Sequence, residues 1–149
     1  MRIFSLLLAT VLAMPFKTQA VCLSRDYSLR TEYVGASAVV IAEALSEQIV
    51  PDPDDPVGFA ATLYKVRIDE SIRGSLHGVV ELYSENSSGR FPLEIGKKYI
   101  LFIYTDQGVL EVDNCGNSGP LNEKKEVVAA ARELAKSVPN TQKPTELGR

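Results

Sequence analysis

The sequence predicts a mainly β protein: a five-stranded antiparallel barrel with a short N-terminal helix and a C-terminal helix. Three observations carry this expectation. Apolar and polar residues alternate with period two over several short segments, and clusters of Gly, Asn, Asp and Pro separate those segments at hairpin-length intervals. Helical spacing of apolar residues is confined to the two ends of the folded region.

The chain opens with MRIFSLLLATVLAMPFKTQA, which has the three zones of a secretory signal: Arg2, an apolar run from Ile3 to about Phe16, and the small-residue ending Thr18-Gln19-Ala20. Cleavage after Ala20 leaves Val21 as the first residue. The alternative, a membrane anchor, needs ~20 apolar residues, and this run is shorter and broken by Pro15. Gln19-Ala20-Val21 before Cys22 makes a poor lipidation signal, because no small residue directly precedes the cysteine. The expectation is a soluble protein, secreted or periplasmic, with no membrane insertion once residues 1–20 are removed.

The first helix is predicted from Ser28 to Val34. Ser28 caps the first turn, Leu29 and Tyr33 share a face at i, i+4, and Gly35 offers a left-handed stop. Ser37-Ala38-Val39-Val40-Ile41-Ala42-Glu43-Ala44 reads as a largely buried strand. Pro51-Asp52-Pro53-Asp54-Asp55-Pro56 is a loop, since its prolines lack amide donors; its aspartates lack the glycine and terminal glutamate of a calcium loop. From Ala60 to Ile68 the alternation puts Thr62, Tyr64 and Val66 on one face and Lys65 and Arg67 on the other, the mark of a half-buried strand.

After Arg73-Gly74, a third strand runs from Val79 to Ser84 with Val80 and Leu82 inward. Asn86-Ser87-Ser88-Gly89 has turn chemistry and spells an N-glycosylation acceptor, for which a polar loop is a sufficient reading. Tyr99-Ile100-Leu101-Phe102-Ile103-Tyr104 is the most apolar segment after the signal and predicts a strand buried on both faces. Asp106-Gln107-Gly108 turns it into a fifth strand, Val109 to Asn114. The closing helix begins near Asn122, with Val127, Val128, Ala131, Leu134, Ala135 and Val138 as its apolar stripe. Pro139 ends it, and residues 139–149 are expected to be a disordered tail. One domain, residues 21–138, remains.

Composition narrows the function classes. The chain of 149 residues carries a net charge of −3, and loss of Arg2 and Lys17 with the signal takes the remainder to 14 cations against 19 carboxylates, a charge of −5. An acidic chain without a stripe of Lys and Arg among aromatics is not built for phosphate backbones, so no nucleic-acid partner is expected. Cys22 and Cys115 are the two cysteines, and in an oxidising compartment the simplest reading is one bridge joining the start of the domain to the end of its last strand. A redox pair would need exposure, a lowered pKa and closer spacing.

His77, the sole histidine, lies in a predicted turn with no nucleophile beside it, and no Gly-x-Ser-x-Gly elbow occurs. Cys and His do not fall at metal-ligand spacing. The carboxylates are scattered over outward strand positions. The expectation is a non-enzyme with no cofactor and no metal.

Five short strands between two helices fit a small barrel of the OB type, closed or partly open. In order and spacing, residues 22–138 resemble the netrin-like modules, and among them the tissue inhibitors of metalloproteinases. The resemblance is carried by Ser37-Ala38-Val39-Val40, by Tyr64-Lys65-Val66 with Ile72-Arg73-Gly74, by Leu93-Glu94-Ile95-Gly96-Lys97-Lys98-Tyr99-Ile100, and by Leu110 to Cys115. It implies an OB-like fold and a protein partner, with a metalloproteinase as the candidate. In those inhibitors a Cys-x-Cys start places the first cysteine on the protease's zinc; here Cys22 resembles the second of the pair, and Cys115 its bridge partner. The first falls at Ala20, its partner near Gly89, and a third bridge would reach Gly35; none of these is a cysteine.

The resulting expectation is a monomeric protein-binding module. Its contact surface combines Val21, Cys22, Leu23 and Ser24, held by the bridge, with Asn86, Ser87, Ser88 and Gly89 in the loop from Ser84 to Arg90. Two alternatives stay open. Cleavage after Val21 would make Cys22 N-terminal and able to bind a protease's metal, and the protein could instead be a structural component of an envelope.

Overall fold

A computed structural model describes residues 26–138. The predicted signal, Val21 to Ser24 and the tail from Pro139 lie outside the described residues. The elements are α1 (Leu29–Gly35), β1 (Ala38–Pro51), β2 (Phe59–Arg73), β3 (Gly78–Glu85), β4 (Lys98–Asp106), β5 (Val109–Val112), β6 (Gly119–Pro120) and α2 (Lys125–Ser137). The fold is mainly β, one antiparallel sheet in the order β3-β2-β1-β4-β5, with β6 added beside β4.

α1 starts where the sequence places it. Ser28 Oγ accepts from the Thr31 amide at 3.4 Å, and Asp26 reinforces the cap by accepting from the Ser28 amide at 2.8 Å and from Thr31 Oγ1 at 2.7 Å. The Ser28 amide, then the Thr31 and Ser28 hydroxyls, hold the Asp26 carboxyl below its usual pKa. The helix end differs from expectation. Gly35 is the last helical residue and is not left-handed; Ala36 leaves the helix directly into extended backbone, leading the chain into β1.

β1 and β2 both run further than their apolar patterns suggest. Their ladder extends from Val39↔Arg73 to Pro51↔Phe59, so the polar stretch Ser46-Glu47-Gln48 is held by backbone pairing and not by burial. Pro51 sits at the strand's last position, where a missing amide costs least. Register shifts near Ala44/Ser46 and at three other points bend this long pair.

β4 is the centre of the molecule. Residues 99–103 are all buried, and period two divides them between two cores. Tyr99, Leu101 and Ile103 join Val40, Tyr64, Val66 and Leu82 inside the curl of the sheet; Ile100 and Phe102 join Val39, Tyr33, Val128 and Ala131 beneath the helices. α2 buries Val128 and Ala131 and packs Val127, Leu134 and Val138 beside them, while Ala135 from the expected stripe stays exposed. It begins at Lys125 and not near Asn122, because the amides of Glu123 and Lys124 both turn back to the Pro120 carbonyl. The β4–β5 connection is a two-residue turn with φ of 47° at Gln107 and 85° at Gly108, the primed geometry that suits twisted strands.

The sheet is not closed. Among the described residues β3 and β5 are its two edges, and although Tyr83 and Ser84 of β3 and Val112 of β5 border the same gap, no ladder joins them. The five expected strands are present; β6 is an addition that Gly119-Pro120 gives no pattern for.

Gly74 closes β2 with φ of 82°, and a Cβ there would stand 2.8 Å from the Ser37 carbonyl and 3.1 Å from Ala38 Cβ. Gly74→Ala therefore combines left-handed strain with a backbone clash, and should destabilise by about 2–3 kcal/mol in a urea titration. Gly78→Ala, also at positive φ but in open space, should cost less, about 1 kcal/mol.

Arg132 ties α2 to β2: its Nε and Nη2 donate to the two oxygens of Glu70 at 3.0 and 2.5 Å. The Arg132 hydrogen bonds hold the Glu70 carboxyl below its usual pKa against the opposing effect of burial. A depressed folded-state pKa contributes stability above the ordinary carboxylate range and loses it as pH falls through the folded value. Because both side chains are 40–50% exposed, the contribution is screened to about 1 kcal/mol or less. Urea midpoints followed from neutral pH to about pH 3 should therefore fall further in the parent than in Glu70→Gln, and 1 M salt should narrow the gap.

Candidate functional site

The loop Asn86-Ser87-Ser88-Gly89 follows β3 and is exposed along its length. It is nonetheless pinned. The Asn86 amide donates to Ala60 O at 2.8 Å and Asn86 Nδ2 to Phe59 O at 2.9 Å, fixing the loop to the start of β2. Arg90 Nη1 donates to Asn86 Oδ1 at 3.2 Å, and Ser87 Oγ accepts from the Gly89 amide at 3.3 Å. At the base, Ser84 Oγ accepts from the Phe91 amide at 3.2 Å, so a side chain ties the segment beyond the loop back to β3.

Across from this loop stands the end of β5. A cleft of about 310 Å³ separates Glu85, Ser87 and Gly89 on one wall from Glu111 and Asp113 on the other, with Tyr83 and Tyr104 also lining it. Asp113 leads directly to Cys115: Asp113 Oδ1 accepts from the Cys115 amide at 2.8 Å, and Oδ2 accepts from Tyr27 Oη at 3.1 Å. Cys115 is half-buried and is not a free thiol. The tertiary structure thus sets the predicted loop beside the segment that carries the predicted bridge cysteine, while Val21, Cys22, Leu23 and Ser24 fall outside the described residues.

The Cys115 loop is clamped by a residue the sequence reading missed. Glu32 on α1 is 3% exposed, and its Oε2 accepts from the Asn117 amide at 2.7 Å and from Asn117 Nδ2 at 2.6 Å. Asn117 Nδ2 also donates to Tyr27 O at 2.9 Å. Gly116 makes the close approach possible, since a Cβ there would lie 2.0 Å from Glu32 Oε1, an oxygen that is buried without a hydrogen-bond partner. The sequence held one signal for this: a carboxylate next to Tyr33 on the helix face that must be buried. Ser118 completes the loop, its Oγ accepting from the Phe102 amide at 2.9 Å where β4 has passed β6 and not yet met β5.

A larger groove of about 730 Å³ lies between the start of α2 and β4, floored by Ile41, Leu121 and Val128. Its lining leans basic: Lys97, Lys98, Lys125 and Arg132 stand against Glu94 and Glu123. Lys97 pairs with Glu94 at 2.6 Å, Lys98 with Asp69 at 2.6 Å and Arg132 with Glu70 at 2.5 Å, while Lys125 forms no ion pair among the described residues.

His77 is exposed in the β2–β3 connection, its Nδ1 2.8 Å from Ser75 O, with no hydroxyl or thiol hydrogen-bonded to it among the described residues. Among the described residues no three His, Cys, Asp or Glu side chains converge as a metal site, and no helix is long and apolar enough to cross a membrane. What the β3–β5 cleft can do chemically is present fixed carboxylates, amides and hydroxyls to another molecule. No protein-family model matches the chain, and no curated protein matches it.

Proposed function

We propose that this chain is an extracytoplasmic, non-catalytic protein-binding module of the netrin-like or metalloproteinase-inhibitor-like type, acting as a monomer, with residues 1–20 as its export signal and a Cys22–Cys115 bridge. The observation that carries the reading is the juxtaposition at the β3–β5 cleft: the pinned loop at Asn86 to Gly89 stands opposite Glu111 and Asp113, which run into Cys115. A bridge from Cys115 to Cys22 would bring Val21 to Ser24 to the same end of the sheet. The contact surface would then be assembled from two rigid supports, and a surface ordered before binding loses less entropy on association.

The test is photocrosslinking in the producing cells, with a crosslinkable side chain at Ser88 in one version and at Val79 in another. Val79 is 56% exposed at the opposite end of β3 from Glu85, so it reports accessibility without the site. A discrete protein adduct from Ser88 and none from Val79 is expected. No adduct from Ser88, or equal adducts from both positions, would sink the reading.

A further inference from the structure

Among the described residues β3 pairs only with β2, and β5 only with β4, so each presents an edge to the cleft between them. Beside the cleft, Tyr83, Ser84 and Val112 also line a separate void of about 10 Å³ with Leu82 and Phe91, barely the space of one water. The mouth, about 310 Å³, has room for one long side chain.

Its charge says which kind. Among the described residues, Glu85, Glu111 and Asp113 line the mouth against a single cation, Arg90, whose Nη1 is turned to Asn86. Asp113 is engaged by Tyr27 and by the Cys115 amide, whereas Glu85 and Glu111 form no ion pair among the described residues. They stand on opposite walls, one at the end of β3 and the other on β5, with Tyr83 and Tyr104 beside them. Two carboxylates with the cleft between them, on a chain of net charge −3, complement an ammonium or guanidinium group, and tyrosine rings suit its aliphatic stem. The 730 Å³ groove near α2 is lined by Lys97, Lys98, Lys125 and Arg132 against Glu94 and Glu123, so its bias is of the opposite sign.

We infer that the β3–β5 cleft receives a lysine or arginine side chain from the partner protein, seated between Glu85 and Glu111. This rests on the protein-binding reading and names the chemistry of the partner's anchor residue. It is tested by titrating the ¹⁵N-labelled exported chain at low salt with acetyl-Gly-Arg-Gly-amide, and in parallel with its Gly-Gln-Gly counterpart. The arginine peptide should shift the amides of residues 83–85 and 111–113. The glutamine peptide, and the arginine peptide on Glu85→Gln/Glu111→Gln, should bind at least about tenfold more weakly, the order expected when a charge partner is removed.

Shifts spread equally over the Asp52–Asp55 loop, no shifts at the cleft, or equal shifts in the double variant would each overturn the inference. The Ser88 crosslink separates this failure from failure of the parent reading. A Ser88 adduct that forms as well in the Glu85→Gln/Glu111→Gln background keeps the binding module and removes the basic anchor.

Discussion

Phe102→Ala is expected to lower stability by about 3–5 kcal/mol, the range for emptying a fully buried aromatic position. Phe102 is 0% exposed and sits at the middle of β4, among Val39, Ile100, Tyr33, Val128 and Ala131. These neighbours belong to four elements, α1, β1, β4 and α2, so none can collapse into the space without dragging a strand or a helix. The loss is comparable to the whole stability of many domains, which is about 5–15 kcal/mol. In a urea titration the midpoint should fall steeply with the slope unchanged, whereas Val34→Ala, at a position 49% exposed, should move it by less than about 0.5 kcal/mol. Near-equal midpoints for the two variants would mean that the packing of α1 and α2 on β4 is not the second core of the protein.

The second large effect belongs to the proposed bridge. Closing a loop from Cys22 to Cys115 stabilises by roughly 4–5 kcal/mol in the chain-entropy picture, an upper bound because real unfolded chains are already compact. Cys22→Ser/Cys115→Ser should therefore unfold at a much lower urea concentration than the parent. Reductant should bring the parent down to the variant's midpoint and leave the variant unmoved. The intact mass gives the direct check: the oxidised chain should be lighter than its reduced form by two hydrogens, and its N-terminus should be Val21. A parent indifferent to reductant would remove the bridge. A chain beginning at Cys22 would point instead to a metal-binding N-terminus and make metalloproteinase inhibition the next assay.

The readable parts of the fold were those where one periodicity dominates. The double burial of Tyr99 to Ile103 could be read directly, because a strand with no polar face has nowhere to sit but between two layers. Ser28 and the Gln107-Gly108 turn were readable for a similar reason: a hydroxyl cap and a pair of positive φ angles are local demands met by local residues. Less readable were the outer halves of β1 and β2. Ser46, Glu47 and Gln48 have no buried face, and only the register with Lys65, Tyr64 and Leu63 makes them strand. Gly35 misled for the complementary reason: a glycine permits a left-handed stop but does not require one.

For the candidate site, the sequence alone determined the chemistry of the parts: a polar turn at Asn86 to Gly89, a cysteine ending the last alternating strand, and carboxylates on the outward positions of that strand. Only the tertiary structure decided that these parts meet. The turn at Gly89 and the carboxylate at Asp113 lie more than twenty residues apart in the chain, and they share a cleft because the order β3-β2-β1-β4-β5 brings the two edge strands round to face each other. Likewise Glu32 is a helix residue like any other until Gly116 lets the Cys115 loop close on it and Asn117 donates twice to its Oε2. Local preferences are set by neighbours in the chain, whereas a binding surface is set by which backbones the sheet brings within side-chain reach. That second quantity depends on the ladder register and the bends in β1 and β2, which no single segment encodes.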